Sequence, residues 1–492
     1  AASHGAHPHL DPGRDGEDGF CQIYSKFRVR DILMEPDICR GRIFLRRRGD
    51  QVFYIREGVQ KMKIAMLTNN YRPFVGGVPI SVERQAQELV KLGHQVTVFA
   101  PMYESEDKEQ AESFREKILE EDKKSPERVI RYRSKKRKME NGMVYQGIYP
   151  AEIFKVFERE RFDCIHVHHP MFVGPWALWL GKKYDIPVIY TYHTRYEDYL
   201  HYIPCFRINE RSTIVKKKAV EWLQRNGIPS YMSWFCNKCD LVLAPSAGMR
   251  QMIRGYGVHT PTAVFPTGLD GSFFRKNEKR PREIRKQYAK GKKYLLVTVS
   301  RLEKEKNYGF LLRGIAELKR ETGDNFQVLI IGDGSQKAEL KVRASILGIQ
   351  DVVTFVGNVP NDQIRDYLAA SDLFLFASKS ETQGIVLAEA MAAGIPVTAV
   401  HATGADDIIE DGVNGFLTEE KEEVWAAKVN EALEPETNSR MKRAALISAE
   451  NYRSSRLAIY EEMLYNQCGF RKGERLYEAE EDRRERSAMA LH

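Results

Sequence analysis

Long apolar runs are missing from this sequence of 492 residues. None reaches the roughly 18 residues that a membrane-spanning helix needs, and the first residues lack the apolar centre of a signal peptide. Cysteine is also scarce, and the seven cysteines form an odd set without the spacing of a disulfide framework. We therefore expect a reducing compartment, which points to the cytoplasm.

Two common site patterns are incomplete. The segment 330–336 carries Gly332 and Gly334 of a dinucleotide-binding fingerprint but lacks the third glycine, so we reject a hydride-transfer enzyme. Gly332 still allows a nucleoside to approach the backbone. His166 and His168 share one face of a predicted strand, yet no carboxylate or cysteine completes a ligand set. We expect no metal site there.

The charges of the chain are out of balance. A formal net charge of +8 and a pI near 8.9 favour an anionic partner: nucleic acid, a membrane surface or a phosphorylated substrate. No nucleic-acid recognition motif accompanies the basic runs, so we expect no nucleic-acid partner.

From Lys63 onward, apolar segments of strand length alternate with helical patterns. Strands that are apolar on both faces indicate a parallel sheet covered by helices on both sides. A polar stretch divides the pattern into two series, so the sequence predicts an α/β protein of two doubly wound, Rossmann-like domains with a cleft between them. The predicted divisions are an extension at 1–61, a first domain at 62–271, a linker at 272–292, a second domain at 293–445, and a C-terminal helix and tail at 446–492.

The densest chemical signal lies in one strand–turn–helix segment. An apolar strand pattern at 372–378 is followed by a turn at Gly384 and a helical run. Glu381 then lies on the loop, and Glu389 lies more than a turn inside the helix. Backbone N–H groups at a helix N-terminus favour a phosphate, and two flanking carboxylates can hold the hydroxyls of a sugar and a ribose. The pattern favours a nucleotide sugar; a buried crossover with two incidental glutamates is the alternative.

Other strand ends carry cations, a histidine and glycines. Arg301 and Lys306 follow the first strand of the second series, and two cations there suit a diphosphate leaving group. His193 ends a strand of the first series and could donate a hydrogen bond to a sugar hydroxyl. Gly76 and Gly77 open a helix, where glycine permits a ligand to approach the backbone closely. The structural alternatives are a solvated loop, a histidine without a ligand and an ordinary turn.

Together these motifs resemble the retaining glycosyltransferases of family 4, which have the GT-B fold. The resemblance covers residues 62 to about 465, with its motifs in the family's order and at strand ends. The matching pieces are GGVPIS (76–81), YTYHT (190–194), PSAGM (245–249), PTGLD (266–270), SRLEKEKN (300–307), IIGDG (330–334) and ETQGIVLAEAMAAGIPV (381–397).

The resemblance implies a catalytic set and a donor-binding set. The catalytic set is His193 and Glu381 against the donor sugar, with Arg301 and Lys306 against the diphosphate. The donor-binding set is Gly77 near the diphosphate or the reacting centre, Glu389 at the ribose, Asn358 and Val359 at the base, Gly332, and the helix start Gln383, Gly384 and Ile385. The resemblance implies no permanently bound cofactor, only the nucleotide-sugar donor, and leaves non-essential stimulation by Mg²⁺ open.

Within the family, the sequence is most similar to diacylglycerol glucosyltransferases of bacterial membranes. The similarity lies in the loop 76–79, the run 191–204 and Gln383, where many relatives have phenylalanine. It implies transfer of glucose from UDP-glucose to a membrane lipid such as 1,2-diacylglycerol, on the inner face of the cell membrane. The alternatives are GDP-mannose with phosphatidylinositol, a soluble acceptor, or a non-catalytic relative that binds nucleotide sugars. An epimerase would need acid–base pairs that the sequence does not show.

Two basic segments indicate contact with an anionic membrane surface. Residues 206–227 interleave Lys216–Lys218 with Val215 and Trp222 at roughly helical spacing, as in a helix that lies in the lipid interface. Residues 128–139 add further cations. The alternative is an amphipathic helix packed on its own domain, together with a solvated loop.

The two ends of the chain lie outside the family motifs. Residues 1–61 match nothing in the family and begin with a composition typical of disorder, so we interpret them as an added extension, with a small regulatory or interaction segment as the alternative. Residues 451–466 have the apolar pattern of a helix, and in this fold the last helix crosses back to the first domain. We expect the charged tail after it to be dispensable.

Overall fold

The computed structural model divides the chain into two units, Ala1–Gln60 and Lys61–His492. In the first unit the structure describes a short antiparallel pair, β1 (Phe44–Arg46) and β2 (Val52–Tyr54). The predictions for the rest of that unit and for the charged tail lie outside the described residues. The described residues are 44–46, 52–54, 61–74, 76–105, 107, 109–138, 144–146, 149–197, 200, 206–208, 212–275, 278–379 and 381–469.

The first domain of the second unit is built on a seven-stranded parallel sheet. The strands of this domain are β3 (Lys63–Leu67), β4 (Gln95–Pro101), β5 (Arg128–Tyr132), β6 (Ser134–Lys138), β7 (Val144–Gln146), β8 (Cys164–Val167), β9 (Val188–Thr191), β10 (Leu241–Ala244) and β11 (Thr262–Val264). Their order across the sheet is β11-β10-β9-β8-β3-β4-β5, while β6 and β7 form a separate hairpin. The order of connection reverses between β3 and β8, as in doubly wound folds.

Helices cover both faces of this sheet. They are α1 (Gly77–Lys91), α2 (Ala111–Lys124), α3 (Ala151–Arg159), α4 (Val173–Tyr184), α5 (Ile214–Trp222), α6 (Ile228–Cys236) and α7 (Ala247–Gly255). A π-helical turn, Leu223–Gly227, joins α5 to α6.

Strand β3 shows why the sheet is buried on both sides. Its Ile64 and Met66 enter the core cluster that contains α1, whereas Ala65 and Leu67 enter the cluster on the opposite face. Successive side chains of a strand point to opposite faces, so an uninterrupted apolar run fits a strand between two layers of helices.

The second domain repeats the plan with a six-stranded parallel sheet. Its strands are β12 (Tyr294–Val299), β13 (Phe326–Ile331), β14 (Val353–Gly357), β15 (Leu373–Phe376), β16 (Val397–Val400) and β17 (Gly415–Thr418). Its helices are α8 (Lys279–Tyr288), α9 (Tyr308–Thr322), α10 (Lys337–Ile346), α11 (Asn361–Ala370), α12 (Ile385–Ala392), α13 (Thr403–Ile408), α14 (Glu422–Leu433) and α15 (Pro435–Ala449). The strand order is β14-β13-β12-β15-β16-β17, which confirms the predicted pair of doubly wound domains.

The stretch expected to link the domains is partly a helix. Residues 279–288 form α8, which packs against α11, and its Ile284 is buried in the core of the second domain. The second domain therefore begins earlier than residue 293. The many charges of this stretch lie on the outer face of α8, which is why its composition is typical of a linker.

A last helix, α16 (residues 454–469), returns to the first domain. Its Leu457, Leu464 and Tyr465 pack in the same core cluster as Ile64 and Met66. Among the described residues, no helix is long and apolar enough to cross a bilayer.

The two chain crossings between the domains lie side by side. The Leu269 N–H donates to the Tyr452 carbonyl at 2.6 Å, and the Ser454 N–H donates to the Leu269 carbonyl at 2.9 Å. A Cβ added at Gly268 would lie 2.8 Å from the Ser454 Cα, so the close approach of the two crossings requires glycine there.

Candidate active site

The predicted polar residues of the second domain lie at the carboxyl edge of its sheet. The order of connection reverses between β12 and β15, and in open α/β sheets ligands bind at such a switch point. The loop after β12 contains Arg301 and the 3₁₀ turn Lys304–Lys306, and the loop after β15 leads through Glu381 into α12. Both loops therefore reach the same edge.

Lys306 and Glu381 form an ion pair at this edge. The Lys306 Nζ donates to Glu381 Oε1, and the two side chains are only 14% and 19% exposed. The Coulomb attraction within an ion pair is stronger when the pair is shielded from water. A bound anion would compete with Glu381 for Lys306 and so release the Glu381 carboxylate. The two residues stand 75 positions apart in the sequence, and the fold brings them together.

Arg301 lies on the rim of the same site. Its Nη2 donates to Glu305 Oε1 at 3.0 Å, and its side chain is 52% exposed. Because water screens this pair, it holds the guanidinium only weakly. More than half of the Arg301 side chain is open to solvent at this rim.

Glu389 lies half-buried inside α12, one helical turn beyond its N-terminus. Burial raises the pKa of this carboxyl from 4.5 to about 7, and the guanidinium of Arg84 in α1 opposes that rise. A carboxyl with a pKa near neutrality in a cleft is typical of functional sites. Arg84 also donates to the Gly268 carbonyl at 2.9 Å, a bond that holds its guanidinium within the first domain.

Gly384 makes the turn into α12. Its φ of +73° is in the left-handed region that favours glycine, and it stands at the N-cap, with Ile385 as the first helical residue. The helix therefore points its N-terminus at the space between Glu381 and the strand edge. Asn358 is exposed after β14, and Val359 packs partly against the second-domain core.

Gly332 is required by the packing of the chain itself. Its φ is +133°, and an added Cβ would lie 1.9 Å from the Ser300 carbonyl oxygen. Packing alone thus explains why residue 332 is glycine. The predicted approach of a nucleoside to its backbone stays a prediction. Gly77 is the opposite case: an added Cβ would meet nothing within 4 Å, so open space lies next to the start of α1.

Gln383 makes a pair of hydrogen bonds between the two domains, and its place in the donor site stays a prediction. Its side-chain amide is buried and faces the first domain. Oε1 accepts from the Thr267 N–H at 2.7 Å, and Nε2 donates to the Thr267 carbonyl at 3.1 Å. Both ends of the amide are occupied, so Gln383 holds the two domains together.

Two more hydrogen bonds cross between the domains near the same edge. The Ser246 hydroxyl donates to the Thr382 carbonyl at 2.7 Å, and the Gly248 N–H donates to Asp407 Oδ2 at 3.0 Å. Ser246 also caps α7. The loop between Glu381 and α12 is therefore fixed from the side of the first domain.

In the first domain, histidines collect at the carboxyl ends of neighbouring strands. His193 follows β9, and its Nε2 lies 3.0 Å from Nδ1 of His168, which follows β8. His169 Nδ1 accepts from the Asn69 N–H at 3.1 Å. Burial lowers the pKa of His168 and of His193 well below the usual range and that of His169 to about 3, so these rings are neutral at pH 7.

His166 lies next to His168, with ring centroids 4.1 Å apart, and has hydrogen-bond partners of its own. Its Nε2 lies 2.6 Å from the Thr191 hydroxyl, and its Nδ1 lies 2.6 Å from the hydroxyl of Tyr465 in α16. Among the described residues, no three His, Cys, Asp or Glu side chains are placed to hold a metal ion. The cysteines of the C-x-x-C pair, Cys236 and Cys239, are buried in the core, and burial raises the pKa of both thiols.

Comparison with known proteins agrees with this geometry. Two doubly wound domains whose loops meet across a cleft form the GT-B fold. A crystal structure of HepE from Anabaena in complex with UDP matches the fold with a TM-score of 0.61, at 19% identity, covering 82% of this chain and 100% of that one. Residues 75–273 match the family described as Glycosyltransferase Family 4, and residues 279–447 match Glycosyl transferases group 1.

The chain belongs to the family 4 glycosyltransferases, and it is a hexosyltransferase. It is 31% identical over 406 residues to the alpha-monoglucosyldiacylglycerol synthase of Streptococcus pneumoniae, covering 80% of this chain and 83% of that protein. The protein of the same name from Acholeplasma laidlawii is 26% identical over 408 residues, covering 82% and 96%. A GDP-mannose-dependent alpha-mannosyltransferase of Corynebacterium glutamicum is 25% identical over 363 residues, covering 73% and 78%.

No pattern in the sequence assigns a role to Arg84 or to Thr267, and it indicates His168 only as a rejected metal ligand. Arg84 affects the Glu389 carboxyl, His168 contacts His193, and Thr267 bonds to Gln383. Only the position of His168 directly after a strand gave a signal. The other two contacts cross between domains, and no spacing in the sequence reports them.

Proposed function

We propose that this hexosyltransferase moves glucose from UDP-glucose to the hydroxyl of a membrane lipid such as 1,2-diacylglycerol, with retention at the anomeric carbon. The observation that carries the proposal is the likeness to alpha-monoglucosyldiacylglycerol synthases over 80% of the chain. UDP as the nucleotide is supported by HepE, which has the same fold and was crystallised with UDP.

The donor would bind at the carboxyl edge of the second sheet. Its diphosphate would draw Lys306 away from Glu381, with Arg301 approaching from the rim and the N-terminus of α12 adding N–H donors. Glu381, once released, would accept hydrogen bonds from sugar hydroxyls. Glu389 would accept from the ribose, one turn further along α12.

In the transfer step, the lipid hydroxyl oxygen forms a bond to the anomeric carbon as the bond from that carbon to the diphosphate breaks on the same face. The hydroxyl proton passes to the departing phosphate oxygen, so the step requires no protein base. Lys306 and Arg301 stabilise the charge that develops on the diphosphate. One preorganised contact of this kind contributes about 3 kcal/mol to transition-state stabilisation.

Contact with an anionic membrane on its cytoplasmic face is the second part of the proposal. The face of α5 exposes Ile214, Val215 and Trp222, which are 73%, 77% and 63% accessible, next to exposed Lys217 and Lys218. Exposed apolar side chains interleaved with cations fit the interface of an anionic bilayer. Two other tryptophans of the first domain are also exposed, Trp179 at 45% and Trp234 at 49%. They add support to membrane contact through this domain.

The second basic segment, residues 128–139, contributes less to this surface than the sequence predicts. Arg131 is buried and donates to both oxygens of Asp122, at 2.7 and 2.8 Å. Arg128 pairs with Glu160 at 2.6 Å. Both cations are paired with carboxylates of the first domain. The membrane proposal therefore rests on α5.

The activity is tested by incubating the full chain with UDP-glucose, UDP-galactose or GDP-mannose and with diacylglycerol, phosphatidylinositol or a water-soluble glycoside. We expect a glucosylated diacylglycerol, detected by mass spectrometry, with an α linkage by NMR. Product with the soluble glycoside alone would contradict the lipid acceptor. Mannosyl-phosphatidylinositol from GDP-mannose would favour the second candidate, which the likeness to the Corynebacterium mannosyltransferase supports.

Membrane contact is tested by sedimentation with vesicles of neutral or anionic phospholipid. We expect binding to anionic vesicles that weakens with salt and that falls when Ile214, Val215 and Trp222 are changed to serine. The matched control changes Val342 and Ile346 of α10 to serine, because these are 60% and 79% exposed in the second domain. Equal loss in both variants, or no loss in either, would contradict the role of α5.

A further inference from the structure

The buried ring of His168 and the half-buried ring of His193 share a single hydrogen bond next to the cleft. His168 Nδ1 and His193 Nε2 are 3.0 Å apart, at the ends of the neighbouring strands β8 and β9. Because burial keeps both imidazoles neutral, each ring carries one proton. One of the two facing nitrogens therefore donates and the other accepts.

The second nitrogen of His168 decides the direction. His168 is fully buried, and its Nε2 has no hydrogen-bond partner among the described residues. If Nδ1 accepted, the proton of His168 would reside on Nε2 as a buried N–H without an acceptor, which is costly and rare in proteins. If Nδ1 donates, Nε2 holds only an unpaired acceptor, which is tolerated more often. His168 therefore donates to His193.

The ring of His168 rests on a second ring that is itself fixed. The centroids of His166 and His168 are 4.1 Å apart. The Tyr465 hydroxyl donates to Glu461 Oε1 at 2.6 Å, so its oxygen accepts from His166 Nδ1. Thr191 holds the other nitrogen of His166. The helix α16 thus locks His166, and His166 limits the orientation of His168.

We propose that His168 is a positioning residue that holds His193 in the tautomer protonated at Nδ1. The Nδ1–H of His193 is then free of His168 and can donate a hydrogen bond to a ligand in the cleft. Its Nε2 already accepts from His168. It would bind an oxygen of the transferred sugar and would not take the proton of the acceptor hydroxyl. This last statement rests on the proposed function, whereas the tautomer itself does not.

The tautomer is tested on the full chain with histidine labelled with ¹⁵N, by long-range proton–nitrogen correlation without substrate. The signal of His193 is assigned by its loss in a His193→Gln variant. We expect Nδ1 of His193 to have the shift of a protonated nitrogen and Nε2 that of an unprotonated one. A protonated Nε2 in the unaltered protein would overturn the proposal, whatever the donor and acceptor prove to be.

A matched pair of substitutions tests the role in turnover. His168→Asn keeps an N–H donor near the position of Nδ1, whereas the similarly shaped His168→Asp can only accept. We expect the Asn variant to retain turnover within about tenfold, and the Asp variant to lose about 100-fold or more with His193 protonated at Nε2, since a wrong histidine tautomer is severely inhibitory. An Asp variant more active than the Asn variant would overturn the proposal. If neither variant folds, the spectrum of the unaltered protein still decides.

Discussion

The substitution Glu389→Gln tests the raised pKa of the Glu389 carboxyl in the candidate site. The pKa of Glu389 is about 7 against an ordinary 4.5. Each pKa unit corresponds to 1.36 kcal/mol, so the ionised form is disfavoured in the folded protein by about 3 kcal/mol. Below pH 4.5 the carboxyl is protonated in both folded and unfolded chains and this cost is absent. As pH rises from 4.5 to 7, the cost grows to its full value and the folded state loses stability.

Glutamine keeps the shape of the side chain and removes the titration. We therefore expect the unfolding free energy of Glu389→Gln, relative to the unaltered protein, to rise by about 2–3 kcal/mol between pH 5 and pH 8. Urea unfolding of both proteins without substrate at the two pH values measures this difference. A difference that does not change with pH would refute the desolvated position of the carboxyl.

The same carboxyl gives a second, independent result in donor binding. If only the ionised form accepts from the ribose hydroxyls, a pKa near 7 makes roughly a tenth of the protein competent at pH 6 and most of it at pH 8. The dissociation constant of UDP-glucose should then fall about tenfold over that range. Calorimetry measures it, and Glu389→Gln should bind weakly and without this pH dependence. The same pH dependence in both proteins would remove Glu389 from the donor site.

Four further substitutions and one truncation separate chemistry from packing. Lys306→Ala should lower kcat by about 100-fold, equivalent to about 3 kcal/mol. The control is Lys304→Ala, whose exposed side chain lies in the same turn and whose loss should leave kcat near normal. Equal effects of the two variants on steady-state turnover would count against the diphosphate assignment. Gly332→Ala should lower the melting temperature, because its Cβ would lie 1.9 Å from a carbonyl oxygen, and it should cost about 1–3 kcal/mol. Gly77→Ala should leave stability unchanged but lower turnover. A chain that ends at residue 450 should fail to express in folded form, since it lacks α16.

The sequence was informative where local pattern determines structure. The run at 63–69 predicts a strand and β3 covers Lys63–Leu67, because apolar residues on both faces favour a strand between helices. Gly384 predicts the turn into α12, since its left-handed backbone favours glycine. Lys306 and Glu381 each follow a strand of the same parallel sheet, as the sequence predicts, but their ion pair is seen only in the structure.

Contacts between domains could not be predicted in this way. Gln383 follows Glu381 in a recognisable motif, yet its amide bonds to Thr267, a partner that only the approach of two domains defines. Arg131 lies in a basic run, but Asp122 of the neighbouring helix holds it inside. Composition reports which charges are present, and only the fold decides which of them meet an opposite charge.

The return of α16 to the first domain has a consequence for synthesis of the protein. The face of β3 that Leu457 and Tyr465 cover is made early, but its cover leaves the ribosome only after the entire second domain. At a translation rate of roughly 5–20 residues per second, this apolar face waits for about 20–80 s for its partner. We therefore expect chaperones to bind the nascent first domain during that interval. A late nonsense mutation should expose the core of the first domain, at the start of the chain, rather than that of the second domain next to it.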